Sequence, residues 1–434
     1  MLAPVHFDVC IVGAGPAGSA SACLLARLGL SVALIDRAVF PRDKTCGDGI
    51  TPRGTRVLAR LGVLDAVRKA AFACNGVTVR ASETTEFTIG FDRTREAHND
   101  PQHAQLLVLP RVALDDLLLR HAIAAGAMHL PATRIIAIDE RDTHCEIVAD
   151  DGRRFVAPLA VIATGAESQL LRACGLLADK PPLEHAARAY FDNVAGLADR
   201  VVLFFDGVDL PGYGWVFPTS PTSANIGCGV FARTGIPQAQ RLKQLIATHP
   251  ALRTMLAGAT QAGPIKAYPL RTDFKPAYAG RGRMLVAGEA AGLVNPITGE
   301  GIDYALESAE FLADAIGTHW IGTHWQRGRE QKANGNATRV SDDGALDAAL
   351  AERIASAYRA RLTARFARRF ALYRAVQRHA LTAARTPSLM ADVARTPALQ
   401  RLVIDGLFGR VKPAHLFKPS TLYHGARLIA STRR

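Results

Sequence analysis

Cys46 sits in the stretch PRDKTCGDGITPRG, Pro41 to Gly54, with Lys44 two residues before it and Gly47 and Gly49 after it. A cysteine in that setting has three chemistries open to it: metal ligation, thiol redox exchange, or a place in a cofactor pocket. The seven cysteines are scattered and none pairs as C-x-x-C, so neither a zinc site nor a disulfide framework is indicated. His319 and His324, in GTHWIGTHW, stand five apart without carboxylate partners and make no metal site.

The residues before Cys46 supply a second chemistry. FDVCIVGAGPAGSASACLLARLGLSVALIDR, Phe7 to Arg37, reads as strand, glycine turn, helix, strand and terminal acid. That order is what a dinucleotide fold needs: Gly13 permits the tight turn, Gly15 lets backbone approach a pyrophosphate, and Gly18 allows close helix–strand packing. Phosphate sits on the helix N-terminus, and Asp36, with Arg37 beside it, lies where the adenosine ribose is held. The fingerprint leaves FAD and NAD both open. RMLVAGEAAGLVNPITGEGIDYAL, far along the chain, decides for FAD: a strand, Gly288-Glu289, a proline-broken turn and Gly299-x-Gly301 before a helix would receive the flavin end of an extended cofactor.

Between these segments the chain alternates apolar and polar residues with Gly and Pro punctuation, which predicts several antiparallel strands. Joined by NGVTVRASETTEFTIGFD, they predict a sheet over the flavin with an apolar face suited to a hydrocarbon. YGWVFP puts Tyr213, Trp215 and Phe217 on one face at period two, ahead of Pro218. That face is either an aromatic sheet core or the wall of a ligand site.

At 434 residues the chain has room for two or three domains. Its charge is localised: 52 Lys+Arg face 39 Asp+Glu overall, but 17 face 3 from Ala351 to Arg434, which leaves 35 against 36 in the first 350 residues. The basic segment points to anionic lipid or another acidic partner rather than to nucleic acid. IASAYRARLTARFARRFALYRAVQRHAL within it predicts an amphipathic helix, with Ile354, Tyr358, Leu362, Phe366, Phe370, Tyr373 and Val376 as its stripe. The stripe either packs on the protein body or lies in a lipid interface. No apolar run is long enough to span a bilayer and the N-terminus carries no signal-peptide pattern, so an intracellular protein is expected, peripheral on the inner face of the cell membrane.

GAGPAG, FPRDKTCGDGITPR, VLPRVALDDLLLRHA, LPGYGWVFP and NPITGEGIDYAL, in that order over roughly residues 5 to 320, resemble the geranylgeranyl reductase family of FAD-dependent flavoproteins, which includes bacterial menaquinone reductases. The resemblance implies an α/β fold. It consists of a Rossmann-like FAD-binding domain of the group A, aromatic-hydroxylase type (residues 1–72, 105–180 and 280–330), an antiparallel-sheet substrate domain (73–104 and 181–279) and a loop with a basic helical segment (331–434). By the same resemblance Asp36 binds the adenosine ribose, Cys46 and Gly47 lie beside the flavin, Arg111 contacts the cofactor, and Gly301 and Ile302 meet the isoalloxazine. Position 289 departs from the family, which carries Asp where this chain has the longer Glu289. Cys46 is then a flavin-pocket residue, acting either as proton donor or as packing. Tyr213, Trp215, Phe217 and Pro218 become the wall that holds a prenyl chain, with Tyr213 and Trp215 close to the chemistry.

The expected reaction is saturation of an isolated C=C bond in a prenyl chain, of a geranylgeranyl lipid or a polyprenyl quinone, by hydride from reduced FAD and a proton from an acid. An external donor, NAD(P)H, ferredoxin or quinol, would reduce the flavin, since no second nucleotide fingerprint is present. The rivals are a flavin monooxygenase, whose Asp-Gly motif reads ATGAES here, and a flavin halogenase, whose required lysine has no counterpart between Lys69 and Lys180.

Overall fold

A computed structural model describes residues 3–91, 105–230, 235–321 and 346–407. Its centre is a six-stranded sheet in the order Gly280–Arg281, Met284–Val286, Leu159–Ile162, Val9–Val12, Val32–Ile35 and Met128–Leu130. All pairings but that of the first two strands are parallel. Val9–Val12, Val32–Ile35 and Leu159–Ile162 are buried at every position, so they read as unbroken apolar runs rather than alternations. The helices Pro16–Arg27, Arg111–Ala124 and Ile302–Ile316 pack together beside this sheet.

A seven-stranded sheet carries the middle of the chain, in the order Thr260–Leu270, Glu184–Asp192, Ala224–Val230, Gly212–Pro218, Val201–Phe204, Gly76–Ser82 and Thr85–Gly90. One pairing corrects the all-antiparallel expectation: Val201–Phe204 runs parallel to Gly76–Ser82. These two strands come from segments separated by the cofactor-side chain between them, so no hairpin constrains their relative direction.

The apolar stripe near the C-terminus packs on the protein. Ile354, Tyr358, Leu362, Phe366 and Phe370 are fully buried, with Phe366 and Phe370 against Phe274 and Tyr304. This corrects the interfacial alternative for these residues, because a face sealed in the core has no apolar surface left for lipid. The stripe repeats every four residues, which drifts by about 40° per step on a 3.6-residue helix. A single π turn at Thr363–Ala367, between the helices Ala348–Leu362 and Arg368–His379, takes up that drift.

Part of the arginine excess is also consumed inside the molecule. Glu307, Glu310 and Asp314 share one face of the helix Ile302–Ile316. Arg56 and Arg60 reach Glu310 at 2.8 Å from one side, while Arg365 meets Glu307 at 2.7 Å and Arg361 meets Asp314 at 3.0 Å from the other. Glu307 is 3% exposed, so Glu307→Gln should lower unfolding stability by about 3 kcal/mol in a urea titration, through uncompensated arginines around it. An unchanged midpoint would mean that those arginines are hydrated and the ridge contributes nothing.

Candidate active site

One cavity of about 620 Å³ runs from the glycine turn along one face of the seven-stranded sheet. At its polar end the three glycines do different work. Gly13 has φ +106° and a side chain there would strike the Ala163 carbonyl, while one on Gly18 would overlap the Gly13 carbonyl oxygen. Gly15 is open instead: a Cβ there would point toward the Arg42 and Arg111 guanidinium groups, at 3.5 and 3.9 Å. Asp36 shapes the turn, accepting from the Ala14 amide at 2.6 Å and the Ala38 amide at 2.8 Å, and lines the cavity. Arg37 is half exposed, 3.9 Å from Glu167.

Arg111 is buried and bidentate to Asp115, at 2.6 Å through both Nε and Nη2, and Arg42 reaches the same carboxylate at 2.9 Å. One acid thus aims two guanidinium groups at the helix N-terminus, the arrangement that receives a phosphate. Lys44 adds a third cation, its pKa lowered by burial, with its ammonium 3.5 Å over the Tyr268 ring. Asp115 is detectable in the sequence, four residues after Arg111, as a helical ion pair; Arg42 and Lys44 carry no local signal of where they point.

From the other side, Gly288 has φ +63° and packs against Ala17 and Ala305, outside the cavity wall. Glu289 lines the cavity and accepts from the Arg271 amide at 3.3 Å. Gly301 caps the helix that starts at Ile302, and both line the cavity. The glycine cradle, the paired guanidinium groups and this second helix N-terminus fit an FAD molecule laid across the sheet.

The centre of the cavity brings together Cys46, Gly47, Tyr213, Trp215 and Phe217. The aromatic rings form a ladder with centroids 5.9 and 6.2 Å apart. The thiol loop lies flat against it, since a Cβ on Gly47 would come within 3.3 Å of the Phe217 ring. Tyr213 donates its hydroxyl to the Thr298 carbonyl and Trp215 donates Nε1–H to Asn225 at 2.9 Å. Pro218 ends the strand outside the cavity lining. Burial pushes the Cys46 thiol up, with Arg111 opposing, so the thiol holds its proton at neutral pH. Among the described residues no cluster of metal-ligating side chains occurs.

Beyond the aromatics the wall turns apolar. Val77, Val79, Leu203 and Phe205 line it from the sheet, and Leu389 and Met390 close it from the helix Thr386–Arg395. Nothing in the sequence foretells this roof, because helical periodicity marks a helix but not the sheet on which it will settle.

The FAD binding domain family matches residues 6–328. A menaquinone reductase of Mycolicibacterium smegmatis is 33% identical over 320 residues, covering 71% of this chain and 76% of its own. Digeranylgeranylglycerophospholipid reductase 2 of Methanopyrus kandleri is 29% identical over 327 residues, covering 72% of this chain and 78% of its own. Among solved structures, a geranylgeranyl bacteriochlorophyll reductase-like protein of Thermoplasma acidophilum superposes with TM-score 0.72 at 19% identity, over 93% of this chain and 96% of its own. A flavin-dependent brominase superposes with TM-score 0.69 at 19% identity, over 99% and 100%, which shows a shared fold alone.

Proposed function

The chain belongs to the geranylgeranyl reductase family of FAD-dependent oxidoreductases, and on that premise we propose that it saturates isolated C=C bonds of a prenyl chain carried by a quinone or an isoprenoid lipid. The observation that carries this reading is the junction in the cavity, where a protonated thiol and an aromatic ladder stand between the cofactor cradle and an apolar space. Bound FAD, once reduced, supplies the hydride.

An unactivated alkene has no carbonyl to delocalise charge, so rate depends on alignment and on a proton delivered at the same place. Cys46 is the group that gives this proton to the second carbon. Trp215 and Phe217 hold the alkene, Tyr213 fixes the loop at Thr298, and the apolar end takes the rest of the prenyl chain, each buried CH₂ contributing about 0.8 kcal/mol. Gly13, Gly15, Asp36, Arg111, Glu289, Gly301 and Ile302 serve the cofactor. Trp215→Ala should lower kcat/KM for the prenyl substrate about 100-fold while the flavin absorption stays put; full activity would make the strand merely structural. Mass spectrometry of lipids from a deletion strain tests the function: the prenyl lipids should lose their two-hydrogen mass increments, and an unaltered lipid profile would contradict it.

The reductant is external, and anaerobic bleaching by NAD(P)H, a ferredoxin or a quinol in turn identifies it. No helix among the described residues is long and apolar enough to cross a membrane. The protein works in the cytoplasm and docks peripherally on the anionic inner face of the cell membrane through its basic C-terminal segment, of which residues 408–434 lie outside the described residues. Co-sedimentation with anionic vesicles should fall steeply between low and high salt and be absent with neutral vesicles. Equal binding to both would return the charge to an ordinary solvated surface. Arg361 and Arg365 are not suitable probes of docking, since both pair with acids of the body.

A further inference from the structure

We propose that Asn225 is a positioning residue that locks the aromatic wall to the thiol loop and so fixes where the proton and the alkene meet; this rests on the roles given above to Cys46 and Trp215. Asn225 is fully buried in the middle of the seven-stranded sheet. Its Oδ1 accepts from Trp215 Nε1–H at 2.9 Å, while its Nδ2 donates to the Cys46 carbonyl at 2.7 Å and to Asp48 Oδ2 at 2.6 Å. The amide orientation is dictated by chemistry, because the indole can only donate and the carbonyl can only accept.

Asp48 carries the link onward. It holds φ +69°, and its carboxylate also accepts from Tyr190 Oη–H at 2.6 Å and from the Arg111 amide at 3.2 Å. A continuous hydrogen-bonded path therefore joins the substrate wall, the thiol loop and the start of the Arg111 helix. The Trp215 ring is seated directly over Gly227, where a Cβ would overlap its six-membered ring.

Position 225 needs an acceptor on one side and two donors on the other, all buried. A carboxylate meets the first need and violates the second; an aliphatic side chain leaves an indole N–H, a carbonyl and a carboxylate short of partners. Only an amide of this length serves all three.

The test uses the FAD-loaded full chain. In Asn225→Asp the new carboxylate faces Asp48 and the Cys46 carbonyl, so kcat at pH 8 should drop about 100-fold with KM within about threefold and FAD still stoichiometric. Iodoacetamide alkylation of Cys46, read by peptide mass without any prenyl substrate, should speed up about tenfold as the loop loosens. Lowering the pH should restore part of kcat, because the introduced carboxyl group, once protonated, again donates toward Asp48 but has no second donor for the Cys46 carbonyl. The other charged or titratable groups facing this pair are Cys46, Arg111, Tyr190 and the Arg188 guanidinium over the Tyr190 ring.

Trp215→Phe gives an independent reading that keeps an aromatic ring and removes the N–H donor. It too should raise the Cys46 alkylation rate. Unchanged alkylation in both variants, or kcat within about twofold for Asn225→Asp, would overturn the proposal; should Asn225→Asp not fold, unchanged alkylation in Trp215→Phe would overturn it alone. If alkylation couples as expected but the wild-type protein reduces no prenyl substrate, the link stands and the functional reading fails.

Discussion

Gly15→Val yields a folded protein without bound FAD. Gly15 sits at φ −73° and ψ −171°, extended backbone that a β-branched residue adopts without strain, and a Cβ there meets no backbone. The isopropyl group would instead fill the space between the turn and the guanidinium groups of Arg42 and Arg111. A phosphate must occupy that same space to reach those groups at hydrogen-bonding distance. FAD affinity should fall at least about 1,000-fold, since both the charge-assisted bonds and the helix N-terminal contacts are lost. Absorption at the flavin bands after gel filtration, with circular dichroism to confirm the fold, checks it. Stoichiometric FAD in the variant would contradict the placement of the pyrophosphate. The other two glycines cannot serve this test, because side chains at Gly13 and Gly18 collide with backbone and would damage the fold itself.

The second large effect concerns the apolar end. Met390 reaches the cavity from the roof helix and packs on the cluster that contains Val77 and Val79. Replacing it by Trp puts an indole where the distal part of a long prenyl chain would run. A geranylgeranyl substrate should lose about 100-fold in kcat/KM, the equivalent of excluding three or four CH₂ groups. A geranyl substrate, half as long, should lose less than about threefold, and the flavin spectrum should not move. The comparison is between kcat/KM values of the two chain lengths. An equal loss for both would place the damage at the flavin, and no loss for either would route the chain elsewhere.

Much of the cofactor side was legible because its residues act through local backbone geometry. Gly13, Gly15 and Gly18 are close in sequence and each has one steric task, and the Trp215 face follows from strand alternation alone. Arg42, Asp48 and Asn225 were not legible as a site, since their meaning lies in partners from other segments: Asn225 is 179 residues from Cys46. Two arginines of the C-terminal helices were not legible for the same reason. The acids of Arg365 and Arg361, Glu307 and Asp314, belong to a helix 58 and 47 residues away, so a local charge count cannot show that these two are ion-paired. The roof formed by Leu389 and Met390 is another long-range contact, made with the strand that carries Val77 and Val79 near the start of the chain.

The most direct test of prenyl reduction is a single anaerobic turnover. The FAD-loaded protein is photoreduced, the reductant is removed, and one equivalent of a geranylgeranyl lipid or a polyprenyl quinone is added in the dark. The flavin bands should return at the rate at which product appears, and mass spectrometry should find one molecule, heavier by two hydrogens, for each flavin reoxidised. A flavin that stays reduced until oxygen is admitted, with a product that gains oxygen or halogen rather than hydrogen, would contradict the account.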